Sequence, residues 1–191
     1  VGNFSPAQMA AFQSVAPLHT AQPPYNLFER AAERAVLPYC RRQGIATLTY
    51  GALCRGLLSG RMRPDTTFGG DDLRRVDPKF TAPRYAQYLR AVARLEQLAR
   101  EAYGKSVLAL AVRWVLDQPG VHIALWGART PAQLAAVDDA MGWSLDAEGE
   151  RAIDAIVRET VSDPVGPEFM APPARTVHHQ PPRVIHRTAD A

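Results

Sequence analysis

Three short, largely apolar segments, Leu18–Gln22, Ile45–Tyr50 and Val121–Trp126, constrain this chain more than any other feature, because helical patterns lie between them. Strands that are apolar throughout and alternate with helices predict a parallel sheet with helices covering it, since a parallel connection needs a crossover long enough to hold a helix. Two architectures fit, a doubly wound sheet and a (β/α)8 TIM barrel. The doubly wound sheet places a Gly-rich turn, GxGxxG, after its first strand, and no such run occurs here. The barrel is therefore the expected α/β fold. It needs eight strands and about 250 residues, whereas this chain has 191 residues and offers three strands plus the end of one. Half a barrel is expected, its C-terminal half. The chain starts at Val1 without a methionine, and Gly2 to Ser5 read as the middle of a strand-to-helix junction, so something upstream is expected.

The helices are bounded by recognisable chemistry. Ser5, Pro6 and Gln8 form a cap, a first-turn proline and a capping-box partner, and Met9, Phe12 and Ala16 recur behind them at helical spacing. Ala31 to Gln43 reads as a helix closed by Gly44, despite Pro38. Tyr85, Leu89, Val92, Leu95 and Ala99 mark an amphipathic helix, and Ser106 caps a more apolar one from Val107 to Asp117. Thr130, Pro131 and Gln133 repeat the capping box, with a helix expected to about Ala140, and a last helix starts near Asp146. Between Gly51 and about Pro83 the chain is rich in Gly, Pro, Asp and Arg. That is too long for a connection, and it reads as a functional covering loop. Residues 1–172 form the folded unit, and 173–191, with their prolines and histidines, read as a disordered tail.

Composition narrows the function classes. A net charge of +3 comes from basic residues spread along the chain rather than gathered in one block, and no aromatics interleave with them as a stacking platform requires, so nucleic acid is not an expected partner. No apolar run reaches the roughly 20 residues that cross a bilayer, so no membrane role is expected and a cytoplasmic location follows. Cys40 and Cys54 have no metal or redox spacing and read as reduced thiols. Cys54 beside Arg55 allows a lowered thiol pKa, although a small loop residue needs no function. His19 and His122 read as packed or hydrogen-bonded histidines, and His178, His179 and His186 lack companions for a metal site. Trp114 and Trp126 are core candidates.

Four ordered segments resemble one family. VGNFSPAQM is similar to the aldo-keto reductase segment GVSNFS after strand five, and LHTAQPPYNLFER to its strand six with glutamine and YNL. TLTYGALCRGLLSGR resembles the strand-seven pattern Y-S-P-L-x-x-G-x-L-x-G-K, and ALWGARTPAQL the strand-eight nucleotide motif G-A-R-x-x-x-Q-L. The resemblance runs over residues 1 to 172.

It implies reduction of an aldehyde or ketone to an alcohol, or the reverse, by hydride transfer from NADP(H), with a small-molecule carbonyl as substrate. Asn3 and Gln22 would hold the nicotinamide carboxamide, to which amide side chains offer both donor and acceptor, and Tyr50 would stack on the ring. Gly51, Leu53, Gly56 and Arg61 would line the pyrophosphate. Arg129 and Gln133, at a helix start, would face the 2′-phosphate, which favours NADP over NAD. Gly2 stands where the family has serine, Gly51-Ala52 where it has Ser-Pro, and Ala136-Val137 where many members place Glu-Asn against the adenine. The family's catalytic Asp, Tyr, Lys and His belong to strands two to four, so the resemblance assigns no catalytic residue here and no metal. Two other readings stay open: a nucleotide-sensing subunit on the same fold, and an inactive truncated product. The oligomeric state is left open. Phe169 and Met170 fall where the family's C-terminal segment crosses the barrel mouth, and packing explains them equally well.

Overall fold

The computed structural model describes residues 1–169; Met170 and the tail read from 173 onward lie outside them. Helix α1, Pro6–Gln13, starts on the expected box: Ser5 Oγ accepts from Gln8 N at 3.3 Å, and Gln8 Oε1 accepts from Ser5 N at 2.8 Å. Strand β1 is only Thr20–Ala21, α2 is Val36–Gln43, and β2 is Ala46–Tyr50. Helix α3, Arg84–Tyr103, and α4, Val107–Asp117, follow the covering loop, then β3, Ile123–Leu125, the one-turn α5, Pro131–Leu134, and α6, Ala147–Thr160.

The strands form one sheet in the order β1-β2-β3, parallel throughout, with Thr20 opposite Ala46 and Leu48 opposite Ile123. An isolated parallel bridge between Gly2 and Gln22 extends it by the strand end anticipated near the N-terminus. Pleating turns Thr47 and Thr49 under the helices, where both are buried, and leaves Ala46, Leu48 and Tyr50 half-exposed on the other face. The threonine hydroxyls donate to the carbonyls of Gly120, at 2.5 Å, and Ile123, at 3.2 Å, joining β2 to the chain entering β3. The apolar strands predict a sheet covered by helices. Among the described residues only one face is covered, and Ile123 is 47% exposed.

The core lies between that face and helices α3, α4 and α6. Trp114, Leu110 and Val115 of α4 meet Leu95, Tyr88 and Ala91 of α3, with Ile153 and Ile156 of α6 behind them. Tyr25 stacks on Trp114 with ring centroids 5.2 Å apart. A smaller cluster, Met9, Ala21, Cys40 and Ile45, fixes α1 and α2 against β1.

Two helices differ from expectation. Ala31–Arg34 is a 3-10 turn, and α2 begins only at Val36. Pro38 has no N–H and its ring clashes with the carbonyl four residues earlier, so it fits the first turn of a helix but not its interior. Helix α5 stops at Leu134, and Asp138–Ala140 is a separate 3-10 turn. Carboxylates at Asp138 and Asp139 oppose the C-terminal end of a helix dipole. No helix among the described residues is long and apolar enough to cross a membrane.

Candidate functional site

Because all strands run the same way, the chain leaves each at the same end of the sheet, and a cleft of about 960 Å³ opens there. That is near the top of the roughly 300–1,000 Å³ range of small-molecule sites. Its floor is the turn after β2, with Gly51, Leu53, Arg55 and Gly56; one wall is the covering loop, with Gly69, Asp72 and Arg74; the other is the turn after β3, with Trp126, Arg129 and Gln133. Six of the residues implicated by the resemblance, Gly51, Leu53, Gly56, Arg61, Arg129 and Gln133, line this one cleft.

The remaining three are linked to one another, and Tyr50 directly precedes Gly51 of the cleft floor. Tyr50, the last residue of β2, donates through its hydroxyl to Asn3 Oδ1 at 3.0 Å, and Asn3 N donates to the Gln22 carbonyl at 3.3 Å. Burial first, against the Asn3 hydrogen bond, raises the Tyr50 pKa, so its hydroxyl stays protonated as that donor. Asn3 has φ 56°, a left-handed conformation that asparagine tolerates well. Gln22 is exposed.

The turn after β2 carries backbone strain. Cys54 and Arg55 both have positive φ, 47° and 52°, and Gly56 follows at 92°. Non-glycine residues in this region cost of order 1–3 kcal/mol and persist where surroundings over-determine them. Here the surroundings are visible. Arg55 Nε lies 3.3 Å from Asp77 Oδ2, and its guanidinium also donates to the Phe169 carbonyl. A Cβ on Gly56 would stand 3.2 Å from the flexible end of Met62, and it is the φ of 92° there that calls for glycine.

Arg55 was not singled out from the sequence. It pins the floor of the cleft to the covering loop and to the segment ending at Phe169, and the only cue was a cation between Gly51 and Gly56. Nor was the ion cluster beneath it: Lys79 Nζ lies 2.7 Å from Glu29 Oε1 and 3.0 Å from Asp77 Oδ2, all three residues fully buried. Cys54 is buried beside these groups, and burial drives its thiol well up, which reverses the lowered pKa allowed from its neighbour Arg55. Both cysteines are free and buried.

Gln133 Oε1 accepts from Arg129 N at 2.6 Å and Thr130 N at 3.3 Å. Its acceptor is thus occupied in shaping the turn, and the positive charge of this wall comes from the Arg129 guanidinium. The helix-dipole contribution expected there shrinks, because α5 is a single turn. Trp126 is half-buried and lines the cleft, while Trp114 is a core residue as read. His122 is hydrogen-bonded, with Nδ1 3.2 Å from Thr47 N, but His19 is exposed rather than packed. No group of three metal-ligating side chains occurs among the described residues.

A family model described as the aldo/keto reductase family matches residues 1–158. The chain is 61% identical over 175 residues to the aldo-keto reductase YhdN of Bacillus subtilis (strain 168), a match covering 92% of this chain and 53% of that protein. Among solved structures, the glycerol dehydrogenase AKR11B4 from Gluconobacter oxydans is similar with a TM-score of 0.81 and 56% identity, over 90% of this chain and 52% of that one. The holo form of aldo-keto reductase AKR11C1 from Bacillus halodurans, 19% identical with a TM-score of 0.61 over 81% and 48% of the two chains, shares the fold. The chain spans about half the length of the relatives it matches.

Proposed function

The chain belongs to the aldo/keto reductase family of oxidoreductases, with their (β/α)8 fold, and from that premise we propose that it is the C-terminal, cofactor-holding half of an NADP(H)-dependent carbonyl reductase. The observation that carries this is the cleft itself: it gathers Arg61 and Arg129 around a glycine floor and adjoins the Tyr50–Asn3 pair at one end of a parallel sheet. The fit to a dinucleotide is chemical. Guanidinium groups suit phosphates, a Cβ-free floor admits a close backbone approach, and an aromatic face with amide side chains suits a nicotinamide ring.

In this reading Tyr50 offers its ring face and Asn3 and Gln22 orient the carboxamide. With Oδ1 taken by Tyr50, Asn3 presents its Nδ2 as donor. Arg61 lies by the pyrophosphate and Arg129 by the 2′-phosphate, while the covering loop limits water. The bound cofactor supplies the hydride that reduces an aldehyde or ketone carbon. A tyrosine must protonate the carbonyl oxygen in this family, and no tyrosine of the 191 residues stands at that position, so turnover is assigned to a longer protein. Tyr25 and Tyr88 are buried in the core, and Lys79 has no exposure.

The test uses Trp126 as a reporter. Titration of the chain with NADPH should quench its tryptophan emission saturably, without oxidation of NADPH when a panel of aldehydes is added. Unsaturable quenching removes the cofactor reading, and aldehyde-dependent turnover removes the assignment of catalysis elsewhere. The rival, a nucleotide-sensing subunit, differs only in the longer protein, which would then bind NADPH and reduce nothing.

A further inference from the structure

We infer that Asp72 sets how strongly this cleft discriminates between a 2′-phosphorylated adenosine and an unphosphorylated one, opposing the attraction that Arg129 supplies. This rests on the nucleotide reading above. Asp72 and Arg74 line the cleft from the covering loop, and Arg129 lines it from the turn after β3. Asp72 Oδ1 accepts from Arg74 N at 3.0 Å and from Arg74 Nε at 2.9 Å, and Oδ2 lies 3.1 Å from the same Nε. The Arg74 guanidinium is in turn held over the Phe68 ring, 4.3 Å from its centroid. Phe68 packs edge-on against Phe80, in the buried root of the loop. The carboxylate is thus fixed in place rather than free to swing into solvent.

Its charge is fixed too. The Arg74 side chain, then the Arg74 backbone N–H, with Arg129 adding to them, hold the Asp72 carboxyl down to about 2. It is an anion at every pH at which a nucleotide would bind, and the field of Arg129 reaches it. A 2′-phosphate drawn to Arg129 therefore brings close to two negative charges into the same cleft as a pinned carboxylate. A ribose with a free 2′-hydroxyl brings a donor that a carboxylate can accept. One residue thus penalises the first ligand and tolerates the second, and NADH should compete better for this cleft than Arg129 alone would permit.

The test is calorimetric titration of the 191-residue chain with 2′,5′-ADP and 5′-ADP, which differ only at the 2′ position. Asp72→Asn is the informative variant, because asparagine Oδ1 can still cap the turn at Arg74 N, while Nδ2 removes the charge and the acceptor that pairs with the Arg74 guanidinium. It should tighten 2′,5′-ADP about tenfold and change 5′-ADP less than about twofold, with the gain shrinking in high salt. Asp65→Asn, on the same loop but outside the cleft lining, removes the same net charge and should leave the ratio unchanged. A ratio unmoved by Asp72→Asn, or moved equally by Asp65→Asn, overturns the inference while the nucleotide reading stands. Failure of both nucleotides to bind the unsubstituted chain overturns the nucleotide reading and this inference with it.

Discussion

Lys79 Nζ stands 2.7 Å from Glu29 Oε1, and neither side chain has any contact with solvent. Fifty residues separate the two along the chain. Glu29 belongs to the segment that follows β1, and Lys79 to the 3-10 turn Pro78–Phe80 at the root of the covering loop, so the pair bolts that loop to the body of the fold. Asn26 Nδ2 donates to the other Glu29 oxygen at 2.6 Å and to the Gly51 carbonyl at 3.0 Å, which carries the same network to the floor of the cleft. Burial works against the ammonium, but its partners, Glu29 and Asp77 among them, outweigh that and raise the Lys79 pKa.

Lys79→Met should therefore be among the most damaging single changes in the chain. It leaves Glu29 in the interior without a counter-ion and Asp77 with Arg55 alone, and breaking a buried pair in this way costs about 3–5 kcal/mol. The double change Lys79→Met with Glu29→Gln should cost less than Lys79→Met alone, because the stranded charge is gone. Urea unfolding of the three proteins measures this, and a loss below about 1 kcal/mol for Lys79→Met would show the pair to be solvated in solution.

Alkaline pH should unfold the protein. Burial raises the pKa of Cys54 from 9.0 and of Tyr25 and Tyr88 from 10.0, with the Glu33 hydrogen bond raising Tyr25 further. Groups whose folded pKa is raised hold protons more tightly when folded. Their contribution is complete below the unfolded pKa and is lost as pH rises toward the folded one. Stability should be flat to about pH 9 and fall above it, as thermal melts at stepped pH would record. Burial raises the Cys40 thiol as well, so the onset should move toward pH 10, where the tyrosines begin, only in the double variant Cys40→Ala with Cys54→Ala; an unchanged onset there would remove the thiols from the account.

Much of this fold was legible in the chain. Helix α4 has the bounds read from the Ser106 cap and the run ending at Asp117, because cap and periodicity agree there. Both capping boxes form, and the three strands pair in parallel. What failed was extent: Leu18–Gln22 shortens to two paired residues, since an apolar run marks what can be buried and not how far a neighbour runs alongside. The resemblance named nine candidate residues, of which Gly51, Leu53, Gly56, Arg61, Arg129 and Gln133 line one cleft. It did not reveal Arg55, Asp77, Lys79 or Glu29, because pairing across up to 50 residues leaves no local pattern.

Gly149→Ala should destabilise the protein, against the usual gain of about 1 kcal/mol for alanine in a helix. Gly149 lies in the first turn of α6, and a Cβ there would stand 1.8 Å from the Tyr103 hydroxyl. Tyr103 is held by Asp146 Oδ1 at 2.9 Å and by stacking on Trp143, so moving it breaks the contact joining the ends of α3 and α6. A raised melting temperature would mean that Tyr103 swings away freely.

The covering loop should close over the nucleotide while its root stays fixed. Gly69 and Gly70 are exposed, whereas Asp72 is tied to Arg74 and Lys79 is buried, so the tip ahead of Asp72 is held less than the root. Limited proteolysis should cut near Gly69–Gly70, and saturating NADPH should slow the cut. Equal cleavage rates with and without NADPH would mean that the loop does not act as a clamp.

Arg129→Glu should separate the two cofactors. Arg129 lines the cleft wall after β3, and its neighbour Gln133 is tied into the turn through Oε1, so the guanidinium is the cation that this wall presents. Reversing its charge replaces attraction to a 2′-phosphate by repulsion, whereas NADH carries no charge at that position. Arg129 is also the cation whose field reaches Asp72, so in the variant two carboxylates would share the cleft. NADPH binding should weaken by about a hundredfold or more and NADH binding by less than about fivefold, both read by quenching of Trp126. The backbone N–H of residue 129 still donates to Gln133, so the turn itself should survive, and an unchanged circular dichroism spectrum would confirm that. Parallel losses for NADPH and NADH would move the 2′-phosphate away from Arg129 and leave the arginines of the covering loop to hold it.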